Sequence, residues 1–217
     1  MPKVKLPRSS PSIDMTPMVD LAFLLVTFFM LTTKFRAQEA VQVTIPSSVS
    51  TTKVSDNATT ISIDSAGRVF FDMDGKDMRA ELIQNISKNF NQIGTLSGED
   101  IMRFSVMGAF GVPMSQLKPY IEANESGRKS MSDQLKGIPT DSIPLNELEQ
   151  WVKYGWNVTL EDWGRKRQKN PKEPYPPYNI KADGLAKYKV VKKVIDICQK
   201  ANIEHFDLVT SMKVKAK

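Results

Sequence analysis

The chain is short of the residues that most active sites are built from. It holds one cysteine and one histidine, Cys198 and His205, in 217 residues. A single thiol excludes an internal disulfide and leaves the redox compartment unmarked. One histidine and one cysteine are too few for a zinc site of the usual ligands. No GxxxxGK[ST] run is present to cradle phosphate, and no Gly-rich dinucleotide fingerprint. Ser/His/Asp catalysis would rest on His205 alone, with no nucleophile motif near it. Adjacent acids such as Glu99-Asp100 and Glu161-Asp162 are ordinary polar surface. Strong charge of one sign is lacking too: the net charge of +6 is spread along the chain and makes no case for nucleic acid. These absences point away from an enzyme and from any cofactor or metal dependence.

Long apolar runs are scarce, with one exception. A mean hydropathy of −0.31 describes a mostly soluble chain. Against that background stands SIDMTPMVDLAFLLVTFFMLTTKFR, from Ser12 to Arg36. From Met15 to Thr33 its only ionisable side chain is Asp20. At about 1.5 Å per residue the run reaches roughly 28 Å, close to the hydrocarbon thickness of a bilayer. The reading is a transmembrane helix over 15–36 with a carboxylate inside it. A charge at membrane depth costs several kcal/mol, so such a residue faces a partner or a wet cavity and suits a group that takes up and releases a proton. The plainer alternative is a packing device, hydrogen-bonded to a partner helix. Thr16 fits the N-cap and Pro17 the first helical position. Phe23, Leu24, Thr27 and Leu31 share the Asp20 face at helical spacing, so that face meets the partner. Thr27 can bond across to that partner or back to its own helix.

A cleaved signal peptide fits less well, because the apolar run is long, Asp20 interrupts it and no small-x-small site follows. Lys3, Lys5 and Arg8 precede the run; Lys34 and Arg36 follow it. With Asp14 and Glu39 counted the flanks nearly balance, with a small excess for a cytoplasmic N-terminus.

The motif made by Ile13-Asp14, Thr16-Pro17 and Asp20 three residues after the proline, followed by a helix rich in Leu and Phe, resembles the ExbD/TolR family of bacterial energy-transducing proteins. The resemblance puts the family's proton-carrying aspartate on Asp20. It implies a cytoplasmic tail over 1–14, one span in the bacterial inner membrane and a periplasmic C-terminal part. The partners it implies are an ExbB/TolQ-like multi-span oligomer, a second copy of this chain, a TonB- or TolA-like protein, and membrane lipid.

Beyond the helix, Val41, Val43 and Ile45 alternate as a short strand, and 37–58 is a Ser/Thr-rich linker. Thr59, Ile61 and Ile63 predict a strand, Ala66-Gly67 a turn, and Val69 to Phe71 a return strand. Asp77 is read as the cap of a helix over Met78–Phe90, with Leu82, Ile83, Ile86 and Phe90 inward. Near the end of the chain, Tyr178 to Ala182 reads as a strand and Asp183-Gly184 as a turn. A helix follows with Tyr188, Val191, Val194, Ile195, Cys198 and Ala201 on its core face. Asn202 ends it, and Ile203 to Thr210 forms a last strand with Phe206 and Leu208 on one face. Cys198 is expected to be buried, and His205 on the surface. The expected architecture is a single transmembrane helix plus a small α+β domain, strand-strand-helix-strand-helix-strand, built from 59–90 and 178–217. ISIDSAGRVFF and KADGLAKYKVVKKVIDICQKANIEHFDLVT look like family sequence, with Asp183 as a turn former.

Residues 91–177 read as an insertion. A structureless loop of about 85 residues is abnormal, so it should carry its own elements. Ile101 to Met107 reads as strand-like, and it could replace 178–182 as the core strand. Pro113–Ala123 is expected as a helix with Leu117, Tyr120 and Ile121 inward, and Pro144–Tyr154 as another with Leu145, Leu148, Trp151 and Val152. Trp151, Trp156 and Trp163 form either a local core or a partner-binding patch. The basic run Arg165, Lys166, Arg167, Lys169 and Lys172 is read as a solvated loop, the alternative being contact with anionic lipid or cell-wall polymer. NPKEPYPPYN is an extended connector.

Function follows from Asp20 and the resemblance: a subunit that uses the proton motive force to energise TonB-dependent transport. The alternatives are a TolR-like envelope-maintenance subunit, a passive membrane-anchored scaffold, and a MotB-like stator subunit, whose larger peptidoglycan-binding domain has no recognisable counterpart here.

Overall fold

Alternation of apolar side chains fixes the centre of the fold. The structure, a computed structural model, describes residues 15–32, 47–48, 58–141, 146–209 and 211–212. It divides into two units, Met1–Arg36 and Ala37–Lys217. In the first, helix α1 spans Thr16–Thr32. In the second, β2 (Thr59–Ile63) and β3 (Val69–Asp72) form the expected hairpin, with Ile61 opposite Phe71. Its turn is held by Asp64, whose carboxylate accepts from the Arg68 backbone N–H at 2.7 Å and from Arg68 Nε at 2.6 Å. Strand β4 (Tyr178–Ala182) lies parallel to β2, and β5 (Asp207–Val209) parallel to β4. The sheet order is β3-β2-β4-β5. Helices α2 (Lys76–Asn89) and α7 (Tyr188–Lys200) complete the strand-strand-helix and strand-helix-strand order. A second, two-residue pairing joins β1 (Ser47–Ser48) to β6 (Ser211–Met212) in parallel, so the Ser/Thr-rich linker holds a short strand. Val41, Val43 and Ile45 lie outside the described residues.

Several boundaries differ from the sequence expectation. Helix α2 starts at Lys76 after Gly75, so Asp77 sits inside the first turn, where an acid still favours the helix dipole. The last strand is shorter than expected. Val209 is its buried residue, while Leu208 is 55% exposed and Phe206 half-buried. Tyr188 does not join the core face of α7; Val194, Ile197 and Cys198 do. Asn202, at φ 58°, ends that helix as expected.

The residues between α2 and β4 contain the largest correction. Ile101 to Met107 is not a strand: α3 occupies Gly98–Val106. Its N-terminus is a capping box, in which Ser97 Oγ accepts from the Asp100 N–H at 3.2 Å while Asp100 accepts from the Ser97 N–H at 2.9 Å. That reciprocal bond is worth more to the backbone than the weak strand propensity of the run. Those bonds to Ser97 hold the Asp100 carboxyl below the usual carboxylate range. Helix α4 (Met114–Glu122) buries Leu117, Tyr120 and Ile121 as expected. Helix α5 (Glu125–Gln134) was not expected, because only Ser132 of it is buried and no apolar period marks it; Asn124 caps it through the Gly127 N–H at 2.8 Å. Pro144 and Leu145 lie outside the described residues, and α6 runs over Glu147–Lys169, 23 residues long. The basic run from Arg165 to Lys169 is therefore the end of a helix rather than a loop. Lys166 pairs with Asp162 at 2.7 Å, Arg165 with Glu81 at 3.3 Å, and the Arg167 guanidinium lies 4.9 Å over the Trp163 ring.

These elements do not form a core of their own. Trp151, fully buried, packs its ring 4.8 Å from Phe110, 6.3 Å from Phe104 and 6.3 Å from Phe71 of β3. Helix α6 packs against both α2 and α7. The outer edge of β3 is closed by the same region: Phe71 and Phe110 exchange backbone hydrogen bonds at 2.8 and 3.0 Å, and the Ile138 N–H donates to Val69 at 2.9 Å. Gly137, at φ 80°, permits that last approach, since a Cβ there would sit 2.6 Å from the Val69 nitrogen. The connector back to β4 is held rather than free: Trp163 Nε1 donates to the Pro174 carbonyl at 2.8 Å, and Tyr175 meets Trp163 and Trp156 edge-on.

Two predictions follow from this packing. A Cβ on Gly155 of α6 would lie 2.8 Å from Phe71 and 3.2 Å from Met73. Gly155→Val should therefore destabilise the fold by about 1–3 kcal/mol in urea titration, and an unshifted midpoint would contradict the packing. Glu147 accepts from the Met114 N–H at 2.7 Å, tying α6 to the start of α4, yet burial outweighs that bond and raises its pKa. A raised carboxylate pKa contributes stability below the unfolded pKa that is lost as pH rises through the folded one. Glu147→Gln keeps the acceptor without the charge, so it should raise Tm at pH 7 and change it little at pH 4. A lower Tm at pH 7 would mean that the charged bond to Met114 wins.

Candidate functional site

Every residue singled out on the membrane-helix reading falls in α1. The helix begins at Thr16, with the Val19 N–H donating to the Met15 carbonyl at 3.0 Å. Thr16 is thus its first helical residue rather than its cap, and Pro17 its second. A proline there still loses nothing, because first-turn N–H groups have no intrahelical acceptor.

At about 100° per residue, Thr16, Pro17, Phe23, Leu24, Thr27 and Leu31 all fall within about 60° of Asp20 around the helix axis. The opposite side is Met18, Ala22, Leu25 and Phe29, wholly apolar. Three of the four polar side chains of α1, Thr16, Asp20 and Thr27, therefore gather in one stripe. The fourth, Thr32, donates to the Phe28 carbonyl at 2.8 Å. Thr27 likewise donates back to the Leu24 carbonyl, at 2.9 Å, the second of its two options. The helix itself holds no cation to pair with Asp20.

No residue of α1 is buried. Leu21, Phe23, Leu24, Met30 and Leu31 are each more than 60% exposed. So large an exposed apolar surface marks a helix that meets lipid or a partner. Among the described residues no helix is long and apolar enough to cross a membrane. Helix α1 is described over 17 residues, about 25 Å, and the expected continuation from Thr33 to Arg36 lies outside the described residues, as does the tail over 1–14.

The second unit offers no comparable constellation. Among its described residues no group of three or more His, Cys, Asp or Glu side chains is placed to hold a metal. An open cleft of about 560 Å³ lies beside the start of α3, edged by Glu99, Arg103, Lys118 and Glu122. Its acids and bases are mixed, and Lys118 is already bonded to the Thr95 carbonyl at 3.0 Å. His205 is exposed, as expected. Tyr178 and Cys198 meet in the core. Burial pushes the Cys198 thiol up to about 12, and burial followed by the Cys198 contact raises the Tyr178 phenol. The sequence reading missed the exposure of Leu185 and Tyr188 beside the lysines of α7. The signal was available in Lys187 and Lys189, which flank Tyr188.

A family model described as "Biopolymer transport protein ExbD/TolR" matches residues 7–123, over half of the chain. The matched range takes in α1, the hairpin, and helices α2 to α4. Strands β4 and β5 and helix α7, which complete the sheet, lie beyond it. No curated protein and no solved structure matches the chain.

The Cys198 environment gives a direct check on the core. The native protein should leave a maleimide unreacted at pH 8 and take up one equivalent in urea. Rapid labelling before unfolding would contradict a buried thiol of raised pKa.

Proposed function

Because this chain belongs to the ExbD/TolR family of biopolymer transport proteins, we propose that it is the proton-carrying subunit of an inner-membrane complex that energises transport across the outer membrane. The observation that carries this reading is Asp20, the only ionisable side chain of α1, on the one polar stripe of an apolar helix with no buried residue. In this reading the chain crosses the membrane at α1, with its N-terminus in the cytoplasm and the second unit in the periplasm.

One helix makes no proton path by itself. Asp20 needs neighbouring helices to shield it and to supply water from alternate sides, which a multi-span oligomer of the ExbB/TolQ kind around two copies of α1 would do. A neutral Asp20 tolerates lipid-like surroundings; an ionised one requires a polar contact. Uptake from the periplasm and release to the cytoplasm would then change which partner contacts α1 prefers, and turn the helices relative to one another. The membrane potential supplies about 2.3 kcal/mol per charge per 100 mV, enough to bias such steps. Thr27, bonded to its own backbone, leaves Asp20 as the group that exchanges partners. The periplasmic parts, paired, would hand the movement to a TonB- or TolA-like protein.

Asp20→Asn keeps the shape and removes the titration. Cells carrying only this variant should lose TonB-dependent uptake, while the multi-span partner still co-purifies with the chain. Intact assembly with normal uptake but a leaking outer membrane would assign the TolR-like role. Normal uptake and an intact envelope would overturn the proton-carrier reading in favour of a passive scaffold.

A further inference from the structure

Among the described residues, the two most exposed large apolar side chains outside α1 lie three positions apart at the start of α7. Leu185 is 81% exposed and Tyr188 is 78% exposed. They do not belong to a loose loop. The Asp183 N–H donates to the Ile63 carbonyl at 2.9 Å, the Leu185 N–H donates to Asp183 Oδ1 at 2.9 Å, and the Ala186 N–H donates to the Asp183 carbonyl at 2.9 Å. This turn, locked to β2, holds Leu185 outward. Helix α7 turns Val194, Ile197 and Cys198 inward and leaves Tyr188, Lys189 and Lys192 in solvent, with Lys187 just before it. Of the nearby acids among the described residues, Asp183 is buried in the turn, Asp64 is paired with Arg68 and Asp141 with Lys193, while Asp196 lies four residues after Lys192, on the same side of α7. What remains is two apolar side chains beside Lys187 and Lys189, with Lys192 one turn further on and only Lys192 of the three at helical spacing from an exposed acid of α7.

We propose that this end of α7 is a docking surface for anionic lipid headgroups, in which Leu185 and Tyr188 enter the headgroup layer while Lys187, Lys189 and Lys192 meet phosphate. Amphipathic tyrosine and long lysine stems suit that boundary, with apolar bodies inward and charged ends at the phosphates. A lipid layer needs no groove to receive apolar side chains that stand out from the fold as Leu185 and Tyr188 do. The proposal rests on the membrane anchoring of α1 argued above. With that anchor, the 14 residues from 33 to 46, before β1 joins the second unit through β6, reach at most roughly 50 Å, which keeps headgroups at high local concentration. Each lysine near an anionic surface should change the docked population about fivefold.

The test places the full chain in nanodiscs, either of phosphatidylcholine alone or with about one third phosphatidylglycerol. Leu185→Cys carries a bimane, with Cys198 too buried to take the label, and the lipids carry a headgroup nitroxide quencher. Strong quenching is expected in anionic discs, and it should weaken in phosphatidylcholine, at high salt, and with Lys187→Glu, Lys189→Glu and Lys192→Glu combined. A bimane at Met102→Cys, on exposed α3, should remain unquenched in both. Equal quenching at the two positions, or quenching at Leu185→Cys that ignores lipid charge, would overturn the proposal. So would an unquenched probe in anionic discs that becomes shielded in native membranes, which would put a protein there instead. A chain that does not stay with the discs would overturn the anchoring, and the docking with it.

Discussion

The indole of Trp151 is the contact on which the second unit depends. It joins Phe71 of the hairpin to Phe104 and Phe110 of the region between α2 and β4, so neither part closes its core without the other. Aromatic pairs of this kind contribute about 0.5–1.5 kcal/mol beyond the area they bury. Part of that gain offsets a cost, because Trp151 Nε1 is buried without a hydrogen-bond partner among the described residues, a penalty of about 1–3 kcal/mol. Gly155, one turn further along α6, has no side chain because Phe71 and Met73 occupy the space. The additional helices thus share the core of the sheet and seal the outer edge of β3.

The parts of this arrangement that were readable are those written in local patterns. Thr59, Ile61 and Ile63 alternate, and a hairpin forms. Val194 and Cys198 sit four apart on α7 and face inward together. Where two local patterns compete, the sequence is ambiguous. Ile101 to Met107 is apolar enough for a strand, and the deciding residues are Ser97 and Asp100, outside the run. Helix α5 shows no apolar period because almost nothing of it is buried; its cap, Asn124, is the only local mark. The length of α6 was hidden for another reason. Its second half carries charges and Trp163, which stabilise it through Asp162, Glu81 and the Pro174 carbonyl rather than through a buried stripe. Tyr188 fits the helical spacing yet stands outside the core, since α7 is still emerging from its turn there.

The placement of the candidate residues on one face of α1 was legible, since the faces of a helix follow from a period of about 3.6 residues. The structure adds the return bond of Thr27, the earlier start at Thr16, and the fact that no residue of α1 is buried among the described residues. Those features act together. A bare apolar helix requires lipid or partner helices, and a carboxylate on its only polar stripe requires a polar contact that can be made and broken. In the proposed function, such a residue would couple a proton to movement, and the second unit, which has a core of its own, would transmit that movement.

The most direct measurement is proton flux into proteoliposomes that hold the complex purified from native membranes by this chain. Under an imposed gradient, the account predicts a flux in complexes with Asp20 and none above the lipid leak when position 20 is asparagine. Equal flux in both would contradict it, and would place the proton path somewhere other than α1.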